Sequence, residues 1–360
     1  MGAGLYLHVP FCRRKCPYCN FYSVPAQPEL LTAYTAAVCR NLRHYGNAAQ
    51  PERVDTVYFG GGTPSLLLPA QIAQILETAA EQFALSADAE ITLEANPATV
   101  TPEQLRELRH AGINRLSLGV QSLSDVQLKR LGRLHTAQEA VETVYAAAEA
   151  SFRNLSCDLM LALPEQTADE LEQTVSRLVQ LPITHVSAYL LKVEQGTPFA
   201  VQHVAECCPD DDTAADLYLQ AVEQLGAAGF LQYEISNFAK AGFESRHNCK
   251  YWHCEPYLGI GPSAHSCWNG KRFFVPSAVS DFLEQPVQPV ETEDETPCTP
   301  EEKLLLGMRL TEGVPASWLA EKQAAAERYC NLGFLQKVGE RIAFTPKGFL
   351  VSNTILAELI

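Results

Sequence analysis

The stretch "YLHVPFCRRKCPYCN", residues 6–20, places a short β-type run, a proline and three cysteines in immediate succession. Cys12, Cys16 and Cys19 fall within eight residues, spaced C-x3-C-x2-C. Three readings of that spacing stay open on the residues alone. Structural zinc takes four ligands in a closed tetrahedron, and a fourth ligand such as His8 is not at a usual spacing. Burial as plain core cysteines fits poorly, because Arg13, Arg14 and Lys15 keep the loop polar. An iron–sulfur cube held by three thiolates, with one iron left open to a ligand, fits best.

Outward from this loop, short β-rich runs alternate with helical stretches. Strands are expected at 5–9, 56–60, 91–95, 115–120, 155–161 and 185–191, and helices at 29–45, 69–83, 102–111, 137–150 and 168–180. Thr101-Pro102-Glu103 reads as a cap, a first-turn proline and an acid near the helix N-terminus. Six strand–helix repeats imply right-handed βα units and an α/β fold, a partial (β/α)6 barrel rather than a closed eight-stranded one. The cysteine loop then lies at the C-terminal mouth, where such barrels carry their sites. After about residue 205 the rhythm changes. Three domains are expected: the partial barrel over 1–204, an aromatic and histidine-rich extension lying over the mouth over 205–285, and a small helical, winged domain over 286–360. Within these, 276–300 reads as a proline-rich acidic linker, and 334–344 as a strand pair turning at Gly339.

Composition narrows the class. The net charge of −15 speaks against nucleic acid as a main partner, since phosphate neutralisation needs a basic face. No apolar run is long enough for a transmembrane segment, and the first residues do not read as a secretory signal. Twelve cysteines without a disulfide framework fit a reducing, cytoplasmic setting.

Further candidates stand at the expected strand ends. Gly60-Gly61-Gly62-Thr63 offers bare backbone to a ligand. Glu94, Gln121 and Asp158 would face the same mouth, and an acid inside an apolar strand is costly to bury without a partner. The stretch 245–268 packs His247, His253 and His265 with Cys249, Cys254 and Cys267 around Tyr251, Trp252 and Tyr257. It is open to three readings: a second metal site, a platform for a flat macrocycle with His247 as axial ligand, or an aromatic loop with incidental histidines.

Tyr6-x-His8-x-Pro10-Phe11-Cys12-x3-Cys16-x-Tyr18-Cys19 is very similar to the signature of radical S-adenosylmethionine (SAM) proteins. The resemblance implies a [4Fe–4S] cluster on Cys12, Cys16 and Cys19, with SAM as the ligand of the open iron. It also implies that Tyr6, Tyr18, Gly61, Gly62, Thr63, Glu94, Gln121, Arg133, Asp158 and Lys192 bind the cofactors. Thr63, in place of the superfamily's usual glutamate, matches the coproporphyrinogen-oxidase branch. Tyr233–Gly242, His247-Asn248-x-x-Tyr251-Trp252, the run 259–266 and the run 306–314 resemble the haem-chaperone members of that branch. Asn20-Phe21-Tyr22-Ser23 follows Cys19 where the oxidase carries further cysteine. The resemblance thus implies haem binding, with His247 as favoured ligand and His265 in reserve. It implies transfer to haem-requiring apo-proteins such as respiratory enzymes, a flavodoxin- or ferredoxin-type reductant, and a homodimer as one assembly. Oxygen-independent coproporphyrinogen III oxidase is the alternative activity.

Overall fold

The computed structural model describes residues 2–47 and 49–360. Six parallel strands follow one another in chain order: β1 Ala3–Val9, β2 Arg53–Gly61, β3 Ala84–Ala95, β4 Arg115–Gln121, β5 Asn154–Leu161 and β6 His185–Leu190. Helices Pro28–Tyr45, Pro69–Gln82, Pro102–His110, Ala137–Glu149 and Ala168–Leu178 fill the crossovers. Their ends follow from local chemistry. Thr101 Oγ1 accepts from the Gln104 N–H while Gln104 Oε1 accepts from the Thr101 N–H, a capping box. Helix Ala168–Leu178 buries Leu171, Thr174, Val175 and Leu178, one stripe at helical spacing that faces the sheet.

The strands alternate strictly. Leu5, Leu7 and Val9, then Val57 and Phe59, Leu93 and Ala95, Leu116 and Leu118, Cys157 and Leu159, Val186 and Ala188 join the apolar core between sheet and helices. The intervening positions are polar or small: Tyr58, Glu94, Ser117, Gly119, Gln121, Asp158, Ser187 and Tyr189 line one central cavity. The barrel therefore has an apolar outside under the helices and a polar inside.

Both edges of this sheet are extended by the segment after residue 204. Tyr257–Ile260 pairs in parallel with β1 and continues antiparallel through His265–Trp268, Lys271–Phe274 and Glu291–Asp294. Asn237–Ala239 pairs antiparallel with β6, and Leu231–Gln232 lies beyond it. Two expectations are corrected here. Residues 276–300 are no plain linker, because Glu291–Asp294 is a strand of the main sheet. The histidine-rich segment does not cover the mouth: its helix, Arg246–Trp252, closes the opposite end of the barrel. Glu90, low on β3, accepts the N–H groups of Arg246 and His247. A Cβ on Gly4, at the start of β1, would meet the His247 ring at 3.0 Å.

The far end holds a second core around Leu304, Met308, Leu335, Phe344, Phe349 and Leu356. Its wing is the pair Leu335–Val338 and Arg341–Phe344, turning at Gly339 with φ 60°, and Val314–Pro315 adds a third strand.

Candidate functional site

The cysteine loop leaves β1 at Pro10 and is tied back on itself. Phe11–Cys12 pairs with Val24–Pro25, and the Val24 N–H donates to Pro10 O at 2.8 Å. Between these anchors Cys16 O accepts from the Cys19 N–H at 3.1 Å. Arg13 and Arg14 turn outward and donate to Ala98 O and Gly132 O on neighbouring loops. The three thiols are left at the mouth, lining a cavity of about 480 Å³ with Gly61, Gly62, Thr63, Glu94, Gln121, Arg133 and Asp158.

Two donors already point at sulfur. Thr63 Oγ1 donates to Cys12 Sγ and Arg133 Nη1 to Cys16 Sγ, both at 3.5 Å. Such donors suit thiolates and the sulfurs of an anionic cluster. Gly62 is held against β1, its N–H donating to Val9 O at 2.9 Å, and a Cβ there would lie 2.7 Å from Phe11 O. Gly61 has φ 107°, and a Cβ there would meet the His8 ring at 2.7 Å. Both positions require glycine for close approach of the loop rather than for looseness.

The acids are short of positive charge. Glu94 accepts from the Tyr58 hydroxyl at 2.9 Å and the Gly61 N–H at 3.2 Å. Burial nevertheless pushes its pKa up to about 7, with the charge of Asp158 adding to the rise. Asp158 accepts from the Ser117 hydroxyl at 3.1 Å, and burial pushes it up to about 6. A cation placed between them would lower both and gain their full attraction. Arg133 is nearly saturated by Cys16, the Tyr18 hydroxyl, Asn96 and Gly119 O. Its Nε is buried without a partner among the described residues, so one donor remains for a carboxylate. Three thiols, a pair of carboxylates and one spare guanidinium donor fit a cluster together with a zwitterionic, cationic cosubstrate.

Other expected positions fall elsewhere. Tyr18 lines the cavity, and Lys192 stands on its rim, paired with Glu194 at 2.8 Å. Gln121 holds the Tyr189 hydroxyl at 2.8 Å. Tyr6 sits below the cavity, its hydroxyl on His8 Nδ1 at 3.0 Å and its ring against Tyr58 and His247. His247 is corrected as a haem ligand. It is fully buried at the closed end of the barrel. Both ring nitrogens are engaged, Nδ1 with Thr56 Oγ1 at 2.8 Å and Nε2 with the Tyr251 hydroxyl at 2.9 Å. Burial pushes its pKa down to about 3, so the ring is neutral. His265 is outside the cavity on the extended sheet, about half exposed, with Nδ1 on Glu293 at 3.2 Å. Tyr58, Asn96, Ser117, Ser187 and Tyr189 were not expected at the site. The signal for four of them was the two-residue period itself: Tyr58, Ser117, Ser187 and Tyr189 share the inward face with residues already singled out.

Residues 6–178 match the Radical SAM superfamily. A heme chaperone HemW from Mycobacterium tuberculosis is 35% identical over 371 residues, 99% of this chain and 94% of that protein. HemW from Escherichia coli is 40% identical over 263 residues, 73% of this chain and 69% of that protein. The mouse mitochondrial "Radical S-adenosyl methionine domain-containing protein 1" is 44% identical over 73% of this chain, and the match spans 60% of that protein's length. Among solved structures, coproporphyrinogen III oxidase (HemN) from E. coli superposes with a TM-score of 0.83 over 99% of this chain and 90% of its own, at 22% identity, which shows the shared fold. With a three-thiol mouth on a six-stranded parallel barrel, and relatives of this identity along its whole length, the chain belongs to the HemW family of radical SAM proteins.

Proposed function

We propose that this protein is a haem chaperone that carries a [4Fe–4S] cluster and SAM at its barrel mouth. On this reading it passes haem to apo-proteins such as respiratory enzymes. The observation that carries the cofactor part is the mouth itself, with three thiols beside two buried carboxylates that form no salt bridge among the described residues and whose pKa values burial raises. Haem as cargo comes from the relatives named heme chaperones. Cys12, Cys16 and Cys19 hold the cluster. Glu94 and Asp158 face the positive end of SAM, and Arg133 Nε its carboxylate. When bound, the cluster supplies one-electron chemistry and an iron open to the amino-acid end of SAM. Thr63 and Arg133 stabilise the thiolate sulfurs, and Tyr58 fixes the Glu94 carboxylate. We place the protein in the cytoplasm, served by a small flavodoxin- or ferredoxin-type reductant. Among the described residues no helix is long and apolar enough to cross a membrane.

His265 is the haem ligand in this reading. Its Nδ1 is oriented by Glu293 and its side chain is about half exposed, the arrangement that carboxylates impose on metal-binding imidazoles. The ring is backed by Phe274 at 5.6 Å between centroids. The test is a haem titration of the cluster-loaded protein beside an assay with coproporphyrinogen III. Stoichiometric haem binding, transfer to an apo-acceptor and a Soret band altered in His265→Ala are expected. Robust conversion of coproporphyrinogen to protoporphyrinogen would assign the protein to the oxidase activity instead.

A further inference from the structure

Three thiols far from the barrel mouth come together at the join between the main sheet and the C-terminal region. Cys254 follows helix Arg246–Trp252, Cys267 lies on strand His265–Trp268, and Cys298 precedes helix Pro300–Gly307. Cys267 Sγ and Cys298 Sγ are 3.7 Å apart. Cys254 Sγ, Cys298 Sγ and a carboxylate oxygen of Glu302 all lie within 4.8 Å of one another. We infer that Cys254, Cys267, Cys298 and Glu302 form a second metal site, a structural zinc centre that staples the C-terminal domain to the sheet.

The spacing suits zinc. A tetrahedron with zinc–sulfur bonds of about 2.3 Å has sulfur–sulfur edges of about 3.8 Å. Cys254, Cys298 and Glu302 supply three donors within mutual reach, and Cys267, outside that trio but 3.7 Å from Cys298, completes a four-coordinate set by turning its side chain toward them. Its charge is partly offset. Three thiolates and a carboxylate carry two negative charges more than zinc neutralises. Arg272, opposite Cys267 in the sheet, offsets one of them. Its Nη1 donates to Glu302 Oε1 at 2.5 Å, and Glu302 Oε2 accepts from the Cys298 N–H at 2.6 Å, so the carboxylate is already oriented toward the thiols.

One further fact agrees. Cys254 and Cys298 both hold left-handed backbone, φ 54° and 65°, which cysteine rarely adopts and which the surrounding structure must over-determine. Zinc forms three zinc–sulfur bonds as the three thiols release their protons to solvent, with no change of oxidation state. Cys254 and Cys298 are partly exposed, which gives the ion a way in.

The test uses the full chain with its iron–sulfur cluster loaded anaerobically in the presence of a thiol reductant. Zinc chloride is added, the protein desalted, and zinc and iron measured together. One zinc per chain is expected in the parent protein. Cys298→Ser and Cys267→Ser should each lose it with iron content unchanged, and Cys249→Ser, a neighbouring thiol outside the set, should keep it. Iron serves as the folding control. Cobalt(II) in place of zinc should give a thiolate charge-transfer absorption that Cys298→Ser abolishes. The proposal is overturned if the parent retains no zinc, or if zinc survives in the Cys254→Ser/Cys267→Ser/Cys298→Ser triple variant. A Cys267–Cys298 disulfide found in place of zinc under reducing conditions would overturn it equally.

Discussion

The two ends of the barrel interior are built from the same materials and do opposite things. Both are polar, buried and lined by inward-facing strand residues. At the closed end the histidines are saturated. His247 spends both nitrogens on Thr56 and Tyr251, and His185 spends its own on Ser156 Oγ at 2.7 Å and the Tyr233 hydroxyl at 2.8 Å. Lys250 is held by Asp55 at 2.7 Å, Glu255 at 2.9 Å and Gly2 O at 2.7 Å. At the mouth, Glu94 and Asp158 remain short of a counter-charge and three thiols share one wall. Arg115 stands between the layers, fully buried, its charge felt by Glu90 below and Asp158 above. For these histidines and this lysine, saturation goes with holding the fold; for Glu94 and Asp158, raised pKa values go with a place kept for a ligand.

The largest effect is expected at the thiols. Cys16→Ala should deplete cluster iron and sulfide almost entirely, and near-parental iron in that variant would remove the cluster from the mouth. Next comes the closed end. His247→Ala strands the Thr56 and Tyr251 hydroxyls and leaves a void, so unfolding should cost roughly 2–5 kcal/mol less than in the parent. Chemical denaturation measures this. A parental midpoint would show that the plug is not structural.

Glu94→Gln should weaken SAM by about one to two decades, the worth of a charge-assisted contact, with iron unchanged. A pH series sharpens the same point. Both acids have raised folded-state pKa values, about 7 for Glu94 and about 6 for Asp158. The native state therefore binds more protons than the unfolded chain between the ordinary carboxylate range and pH 7. Their contribution to stability without ligand is greatest below that range and falls as pH rises through it. SAM affinity should move the other way, rising from pH 5.5 to about 7.5 as the carboxylates ionise. Affinity flat across that range would mean that neither acid meets the ligand. The smallest expected change is in Tyr58→Phe, which removes one hydrogen bond to Glu94 and should cost SAM about 1 kcal/mol by calorimetry.

Much of this was legible in the chain. The C-x3-C-x2-C loop, the Gly60–Thr63 run and the acids Glu94 and Asp158 could be read as one mouth, because each ends or occupies a strand of a repeating βα pattern. The histidines were not legible. A dense His-Cys-aromatic stretch resembles a ligand-binding surface, and nothing local shows that His247 folds under the barrel. That placement depends on long-range partners, Thr56 and Glu90, far away in sequence. The strand Glu291–Asp294 was hidden for a related reason. It sits at a sheet edge, where acidic side chains are tolerated and no apolar alternation is required.

The difference between the two ends is tested most directly by one calorimetric titration of SAM into cluster-loaded parent, Glu94→Gln and His247→Gln proteins. Glu94→Gln should bind at least about tenfold more weakly, the worth of one charged contact, while folded His247→Gln should bind like the parent. Parental affinity in Glu94→Gln together with lost affinity in folded His247→Gln would contradict the assignment of the mouth to the ligand and the closed end to the fold.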